Sequence, residues 1–150
     1  MMTFGQFFKA ATGHAPYDYQ QRLAAGGAGR ACQSQLIHIP TGLGKTAAVV
    51  LAWLWNRLAP ATPRHAWPRR LVYCLPLRTL VEQTQANVAA WLARIADECP
   101  GKAELNWLRE RSPVILMGGE ELEPAQRDWG LSPERPCIII SASGMMEAGR

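Results

Sequence analysis

The sequence predicts an α/β fold with a mostly parallel, doubly wound sheet, and three observations lead to this prediction. Its short apolar runs are nearly continuous rather than alternating, which is typical of strands that are covered on both faces. Longer segments between these runs repeat apolar residues at helical spacing, and strands that alternate with helices favour a parallel sheet. A glycine-rich turn joins the first apolar run to the first of these helices. At 150 residues, the chain has the length of one domain.

The predicted strands and helices follow one another along the chain. The four strands are residues 36–39, 71–75, 114–117 and 137–140. Residues 45–58 are apolar on most sides and predict a well-buried helix. Residues 79–97 predict an amphipathic helix, because their apolar residues recur at helical spacing and a Pro-Gly pair ends the segment. A shorter helix is predicted for residues 104–111.

The composition argues against several classes of protein. The longest apolar run, residues 47–55, has nine residues, whereas a membrane-spanning helix needs roughly 20. The N-terminus has no basic segment followed by an apolar stretch, so no secretory signal is predicted. The four cysteines and three histidines are too scattered for a zinc site. We therefore expect a cytoplasmic protein with reduced thiols and no membrane partner.

The net charge of +4 is distributed unevenly. Residues 1–80 carry nine Lys and Arg against one acid, whereas residues 81–150 carry seven bases against eleven acids. A basic half suggests an anionic partner such as a nucleotide or a nucleic acid. A basic surface that is merely solvated would explain the charge equally well.

The strongest motif is IPTGLGKT at residues 39–46, which follows the first predicted strand and begins the first helix. Glycines let backbone N–H groups turn towards phosphate oxygens, and a helix N-terminus adds positive potential there. Lys45 supplies a mobile ammonium for the β- and γ-phosphates, and the Thr46 hydroxyl can bind Mg²⁺. These two are the predicted catalytic residues, although a plain turn between strand and helix is the simpler alternative. The predicted phosphate-binding residues are Thr41, Gly42, Gly44, Lys45 and Thr46.

An aromatic and amide segment, PYDYQ, precedes this loop, and its Gln20 lies 25 residues before Lys45. The amide of Gln20 offers both a donor and an acceptor, which suits the mixed polar edge of adenine. Tyr17 is a candidate to stack on the base. Aromatic packing in the core is the alternative explanation for the same segment.

A third segment, LPLRTLVEQT at residues 75–84, follows the second predicted strand. Arg78 and Thr79 are expected at a helix start, where a nucleic-acid phosphate would meet N–H groups as well as side-chain donors. Thr79 could also cap that helix. Gln83 completes the candidate nucleic-acid residues, and the basic loop at residues 59–70 would add Arg64, Arg69 and Arg70.

These three segments resemble the phosphate loop, the Q motif and motif Ia of superfamily 2 helicases. The phosphate loop resembles that superfamily in the form PTGxGKT, with Ile39 where the strict pattern has glycine. The resemblance implies a partial RecA-like lobe that binds ATP and Mg²⁺ and contacts the backbone of single-stranded DNA.

With LMGGE and WGLSPERP further along, the segments resemble the helicase part of the CRISPR-associated helicase-nuclease of type I systems, over roughly residues 14–137. This narrower resemblance implies antiviral defence, ATP-driven translocation on a displaced DNA strand and recruitment by a guide complex.

Two features depart from the helicase pattern. None of the predicted strands ends in the acidic pair that organises Mg²⁺ and water, and the one Asp-Glu pair, at residues 97 and 98, closes a predicted helix. Residues 137–150 resemble a motif of the β-CASP metallo-β-lactamase nucleases instead of the expected Gly-Thr turn. We therefore expect a partial ATP-binding lobe at residues 1–136 and an atypical tail at residues 137–150, which is either a diverged helicase loop or a junction between unrelated coding segments.

The leading hypothesis is an ATP-binding lobe of a CRISPR-type DNA helicase that is truncated before the hydrolytic acids and turns over little or no ATP alone. One alternative is a non-enzymatic module that binds nucleotide or nucleic acid. Another is a fragment without an independent role, joined to a nuclease tail, because a sheet with too few strands leaves an open edge that favours aggregation.

Overall fold

The computed structural model describes residues 2–116 and 131–142, and the chain divides into two units, Met1–Pro68 and Arg69–Arg150. Sequence analysis did not predict this division, which falls within the basic loop at residues 59–70. Each unit has its own core and is described by itself. In the part of the chain that the structure describes, no helix is long and apolar enough to cross a membrane.

The first unit is helical. Its elements are α1 (Phe4–Thr12), α2 (Asp18–Ala25), a single 3₁₀ turn (Ala28–Arg30) and α3 (Lys45–Leu58). A capping box begins α1, because the Thr3 hydroxyl accepts from the Gln6 N–H while the Gln6 side chain accepts from the Thr3 N–H. Gly13, in the left-handed conformation, ends the same helix.

Helix α3 is the centre of this first core. Eight of its residues are buried: Ala47, Ala48, Val50, Leu51, Ala52, Trp53, Leu54 and Asn56. Phe4 and Phe7 of α1 contact its Trp55 edge-on or tilted, with ring centroids 6.1 and 5.3 Å away. These aromatic contacts fix α1 against α3.

The segment after α3 folds back on this helix through tryptophan and arginine side chains. The Trp53 indole N–H donates to the Pro68 carbonyl at 2.7 Å, and that of Trp67 donates to the Arg30 carbonyl at 2.6 Å. The Arg57 guanidinium donates to the Arg64 carbonyl at 3.0 Å. The part of the basic loop within this unit is therefore held in place by hydrogen bonds.

The second unit contains a parallel three-stranded sheet and two helices. Its elements are β1 (Arg70–Leu75), α4 (Arg78–Glu98), α5 (Ala103–Arg111), β2 (Val114–Leu116) and β3 (Cys137–Ala142), and the strand order is β1-β3-β2. The central strand β3 carries the continuous apolar run CIII, and its first five residues are buried. Its flanking strands pair in register, Arg70 with Cys137 and Val114 with Ile139.

The α/β fold class and its parallel sheet are confirmed. The helix predicted at 45–58 has those bounds, and the helices predicted at 79–97 and 104–111 each extend a little further. The strands predicted at 71–75 and 137–140 are present, and the third is present over 114–116, since Met117 lies outside the described residues.

The prediction of a strand at residues 36–39 is wrong. This segment is not in a strand, and the side chain of Leu36 is 92% exposed. An apolar run becomes a strand only when a neighbouring strand takes up its backbone hydrogen bonds, and residues 2–68 contain no strand.

Candidate nucleotide and nucleic-acid sites

The phosphate loop is a tight turn that leads directly into α3. Gly42 and Gly44 have φ values of 88° and 72°, the left-handed region that glycine adopts without cost. Gly44 is the N-cap of α3, and no side chain caps this helix end. A Cβ built on Gly42 would meet no atom within 4 Å, so the backbone is open on that side. The turn therefore offers backbone donors where a phosphate could approach.

Lys45 is the first residue of α3, and its side chain reaches back along the loop. Its Nζ donates to the Ile39 carbonyl at 2.9 Å. Ile39 occupies the position at which the strict phosphate-loop pattern has glycine. The exposed Lys45 ammonium is therefore kept beside the loop by a neutral acceptor, which a charged phosphate oxygen can replace with a stronger bond.

Gln20 connects α2 to the phosphate loop. Its Nε2 donates to the Gly44 carbonyl at 2.9 Å, while its Oε1 accepts from the Tyr17 N–H at 2.8 Å. The side chain is only 2% exposed. Two segments that are 24 residues apart in the sequence thus meet at one place, as expected for parts of a single site.

The two tyrosines of this segment differ in their contacts. The Tyr19 hydroxyl donates to the Leu43 carbonyl of the phosphate loop, and partial burial raises the pKa of this phenol. Tyr17 stacks on Tyr19 with ring centroids 6.3 Å apart and remains 55% exposed. The contact of Gln20 or Tyr17 with adenine stays a prediction, and Tyr17 is the more accessible of the two.

A cavity of about 390 Å³ lies beside this cluster, within the first unit. Tyr19, Arg22 and Leu23 of α2 line one side of it, and residues 35–39 line much of the rest. The same segment that fails to form a strand thus forms a cavity wall and then continues into the phosphate loop. The volume is within the range of small-molecule sites.

The residues present fit a bound triphosphate. The backbone at Gly42 is open, the end of α3 has no side-chain cap, and Lys45 provides the charge. Thr46, in the first turn of α3, is the candidate to supply a hydroxyl to Mg²⁺. Among residues 2–116 and 131–142, no three His, Cys, Asp or Glu side chains form a metal-binding group.

The candidate nucleic-acid residues lie in the second unit, at the start of α4. This helix begins at Arg78 with Leu77 as its N-cap and no side-chain cap bond. The suggestion that Thr79 caps the helix is therefore wrong, because the chain becomes helical before Thr79. Thr79 and Gln83 are exposed and are one turn apart, so they share a face of the helix. Arg78 forms an ion pair with Glu82 at 3.7 Å.

The three loop arginines have different environments. Arg64 is exposed in the first unit, and its carbonyl accepts a hydrogen bond from the Arg57 guanidinium. In the second unit, the Arg69 guanidinium donates to the Pro133 carbonyl at 3.2 Å, and Arg70 begins β1. A common role in nucleic-acid binding for the three stays a prediction.

Comparison with models of known protein families identifies the family of this chain. The model of the DEAD/DEAH box helicase family matches residues 18–128. The chain belongs to this family. The matched region of this DEAD/DEAH box helicase chain includes Gln20, the phosphate loop and the start of α4, so it is an ATP-binding helicase lobe of the RecA-like type. Searches of curated proteins and of solved structures found no match to this helicase chain.

Domains of the DEAD/DEAH box helicase family bind ATP, generally with Mg²⁺. The family takes its name from an acidic box, and the one adjacent Asp-Glu pair in the sequence of this helicase chain is Asp97 and Glu98. Those two residues end α4, and Asp97 contacts Arg109 at 3.6 Å. They do not follow a strand, so they cannot act as the acidic box.

Sequence reasoning missed two contacts of this helicase site. One is the Lys45 bond to Ile39, and the other is the Tyr19 bond to Leu43. The signal for Tyr19 was its place in the Tyr-Asp-Tyr-Gln segment, one residue before Gln20. The acceptors in both contacts are backbone carbonyls, which no residue pattern reveals.

Proposed function

We propose that this chain binds ATP with Mg²⁺ at the phosphate loop and the backbone of single-stranded DNA at the start of α4. The observation that supports the nucleotide site most directly is the Gln20–Gly44 hydrogen bond at 2.9 Å. It joins the Q-motif segment to the phosphate loop, so both parts of the proposed site act as one cluster. Tyr17 and Gln20 are the residues proposed to contact adenine.

In this proposal, Lys45 exchanges its bond to the Ile39 carbonyl for bonds to the β- and γ-phosphates. Backbone N–H groups of the turn hold the remaining phosphate oxygens, and the Thr46 hydroxyl binds the metal. Bound Mg²⁺ would neutralise part of the phosphate charge. Arg78, Thr79 and Gln83 hold DNA phosphates without reading the base sequence.

Replacing Lys45 with alanine is expected to weaken nucleotide binding at least about ten-fold, because a charge-assisted contact of about 1.4 kcal/mol or more is lost. Titration of a fluorescent ATP analogue in the presence of Mg²⁺ measures the affinity. Lys102→Ala is the matched control, since Lys102 is an exposed lysine before α5 in the other unit. Equal affinities of the two variants would contradict the proposed phosphate site.

We also propose that the 150-residue chain by itself turns over ATP at no more than the background rate. Hydrolysis needs carboxylates that organise Mg²⁺ and position the attacking water, and the only Asp-Glu pair closes α4. Phosphate release is measured with and without oligo-dT. DNA-stimulated release that disappears in Lys45→Ala would overturn this proposal.

We propose in addition that the lobe is of the type I CRISPR kind, acts in the cytoplasm in antiviral defence and is recruited by a guide complex. Residues 75–84 and the Met-Gly-Gly-Glu segment at residues 117–120 motivate this branch of the family. The test is binding of the chain to a purified guide complex that holds a displaced DNA strand, with the naked displaced strand as the reference. Equal affinity for both would count against recruitment.

On the basis of the β-CASP resemblance, we also propose that residues 137–150 are either a diverged helicase loop or a junction between unrelated coding segments. Residues 137–142 form the central strand of the second unit, and residues 143–150 lie outside the described residues. The coding sequence around this segment distinguishes a diverged helicase loop from a junction between two unrelated segments.

A further inference from the structure

Three arginines, here called the arginine row, come before the amino ends of the three parallel strands, and two of them, Arg111 and Arg135, have no part in the DNA contacts considered above. Arg69 precedes β1, Arg135 precedes β3 and Arg111 precedes β2. Because β1, β3 and β2 are parallel neighbours, these arginines all come before the same edge of the sheet, with Arg111 as the last residue of α5. In contrast, the start of α4 follows the carboxyl end of β1, so the row lies at the opposite edge of the sheet.

Contacts among described residues hold the row together. The Arg69 guanidinium donates to the Pro133 carbonyl at 3.2 Å, and the Trp107 indole donates to the Pro136 carbonyl at 3.2 Å. The segment before β3 is therefore tied to β1 on one side and to α5 on the other.

Trp107 also holds two of the guanidinium groups. The central carbon of Arg111 lies 3.8 Å from the centroid of the Trp107 ring, and that of Arg135 lies 4.8 Å away. A guanidinium that is stacked on an aromatic ring keeps its planar edge of N–H donors for bidentate contacts with phosphate. The stacking therefore limits the entropy that these arginines lose when they bind an anion.

Among the described residues, Glu110 and Glu134 are next to arginines of the row in the sequence, and their carboxylates oppose its charge. Glu110 pairs with Arg111 at 2.8 Å, and Glu134 precedes Arg135 in an exposed segment. The Glu110 carboxylate is well exposed, so solvent and salt screen its pair with Arg111 and the pair contributes little. The arginines of the row still outnumber these two acids, and the row attracts anions.

We propose that Arg69, Arg111 and Arg135 form a second binding surface for the sugar-phosphate backbone of single-stranded nucleic acid. Neighbouring strands lie about 4.8 Å apart, so this edge of the three-stranded sheet is about 10 Å wide. An edge of this width can face a few successive phosphates of one strand, and such contacts do not depend on base sequence. Planar donors that are held on an aromatic ring favour a polyanion of this kind, because each guanidinium can contact a phosphate in a bidentate way.

The test uses the full chain and measures binding of labelled oligo-dT at several salt concentrations. The double variant Arg111→Ala with Arg135→Ala is expected to bind about ten-fold more weakly at low salt. The slope of log affinity against log salt should become shallower by about 1.4, because two phosphate contacts are lost at about 0.7 each for a single strand. Lys9→Ala with Lys102→Ala removes the same charge at exposed positions outside the row and should leave the slope unchanged.

A second variant excludes a folding defect as the explanation. Glu110→Gln with Glu134→Gln removes the two nearby acids and should strengthen binding severalfold, which a damaged protein would not do. Arg111→Lys with Arg135→Lys keeps the charge and should retain most of the salt slope. Unchanged binding in the alanine and glutamine double variants would overturn the proposal, as would competition by polyglutamate equal to that by unlabelled oligo-dT.

This inference rests on the proposed binding of nucleic acid, but the two can fail separately. Arg78→Ala tests the start of α4 in the same titration. If Arg78→Ala weakens oligo-dT binding and the arginine double variant does not, only the proposed arginine row is overturned. The reverse result supports the row and contradicts the α4 site, whereas a wild-type chain that binds no oligo-dT overturns both.

Discussion

Replacing Asn56 with alanine is expected to lower the free energy of unfolding of the first unit by about 2 to 4 kcal/mol. Asn56 lies in α3 and is 3% exposed. Its Nδ2 donates to the carbonyls of Ala24 and Ala52, each at 2.8 Å, and its Oδ1 accepts from the Thr62 hydroxyl at 3.0 Å. One amide therefore joins the end of α2, the middle of α3 and the loop after α3.

The large effect is expected because the substitution leaves two buried polar groups without a hydrogen-bond partner. Alanine would leave the buried Thr62 hydroxyl and the Ala24 carbonyl without this partner, and each unpaired buried group costs about 1 to 3 kcal/mol. Guanidinium unfolding followed by tryptophan fluorescence measures the change. The control is Gln21→Ala, which removes an exposed amide from α2 in the same unit and should stay within about 0.5 kcal/mol of the wild type. A loss below about 1 kcal/mol in Asn56→Ala would contradict the proposed role of this network.

The local pattern of the sequence was sufficient for most regular elements. α3 could be predicted at both ends, because a glycine turn precedes it and its apolar residues continue to Leu58. β3 could be predicted from four consecutive apolar residues, since a central strand is covered on both faces. In both cases the deciding signal lies within a few residues of the element itself.

Residues 36–39 show where local pattern stops being sufficient. The segment has the apolar composition of a strand, but pairing depends on a neighbour far away in the sequence.

The side chain of Gln20 is a second case in which local pattern is insufficient. An amide that donates to adenine and one that donates to the Gly44 carbonyl look the same in a sequence, because the same two atoms are used for either partner. Only coordinates show that both of its polar ends already contact protein.

Arg78 and Asn56 show the same limit for candidate sites. The position of Arg78 at a helix start could be predicted from the turn that precedes it, but its ion pair with Glu82 depends on the choice of rotamer. The role of Asn56 carries no signal in the sequence, because one polar residue in an apolar helix forms no pattern. Its importance comes from partners 32 residues before it and 6 residues after it.

The Gly44→Ala substitution is expected to disrupt the phosphate loop through two separate effects. The φ of 72° at Gly44 is costly for any residue with a Cβ, by about 1 to 2 kcal/mol. An added Cβ would also lie 2.7 Å from Nε2 of Gln20, well inside contact distance. Gln20 cannot move away freely, because it is buried and its Oε1 is bonded to the Tyr17 N–H. We expect a loss of about 3 kcal/mol in stability of the first unit and at least about ten-fold weaker binding of the ATP analogue.

The Gly42→Ala control separates backbone strain from the collision with Gln20. Gly42 has a φ of 88°, but a Cβ built there meets no atom within 4 Å, so this variant should show the strain alone. In a Gln20→Ala background the colliding atom is gone, and Gly44→Ala should then cost about as much stability as Gly42→Ala. The resulting coupling between positions 20 and 44 should be about 1 kcal/mol or more, measured by guanidinium unfolding of the four proteins of a double-mutant cycle. Equal costs of Gly44→Ala with and without Gln20 would show that the Gln20 side chain does not constrain the phosphate loop.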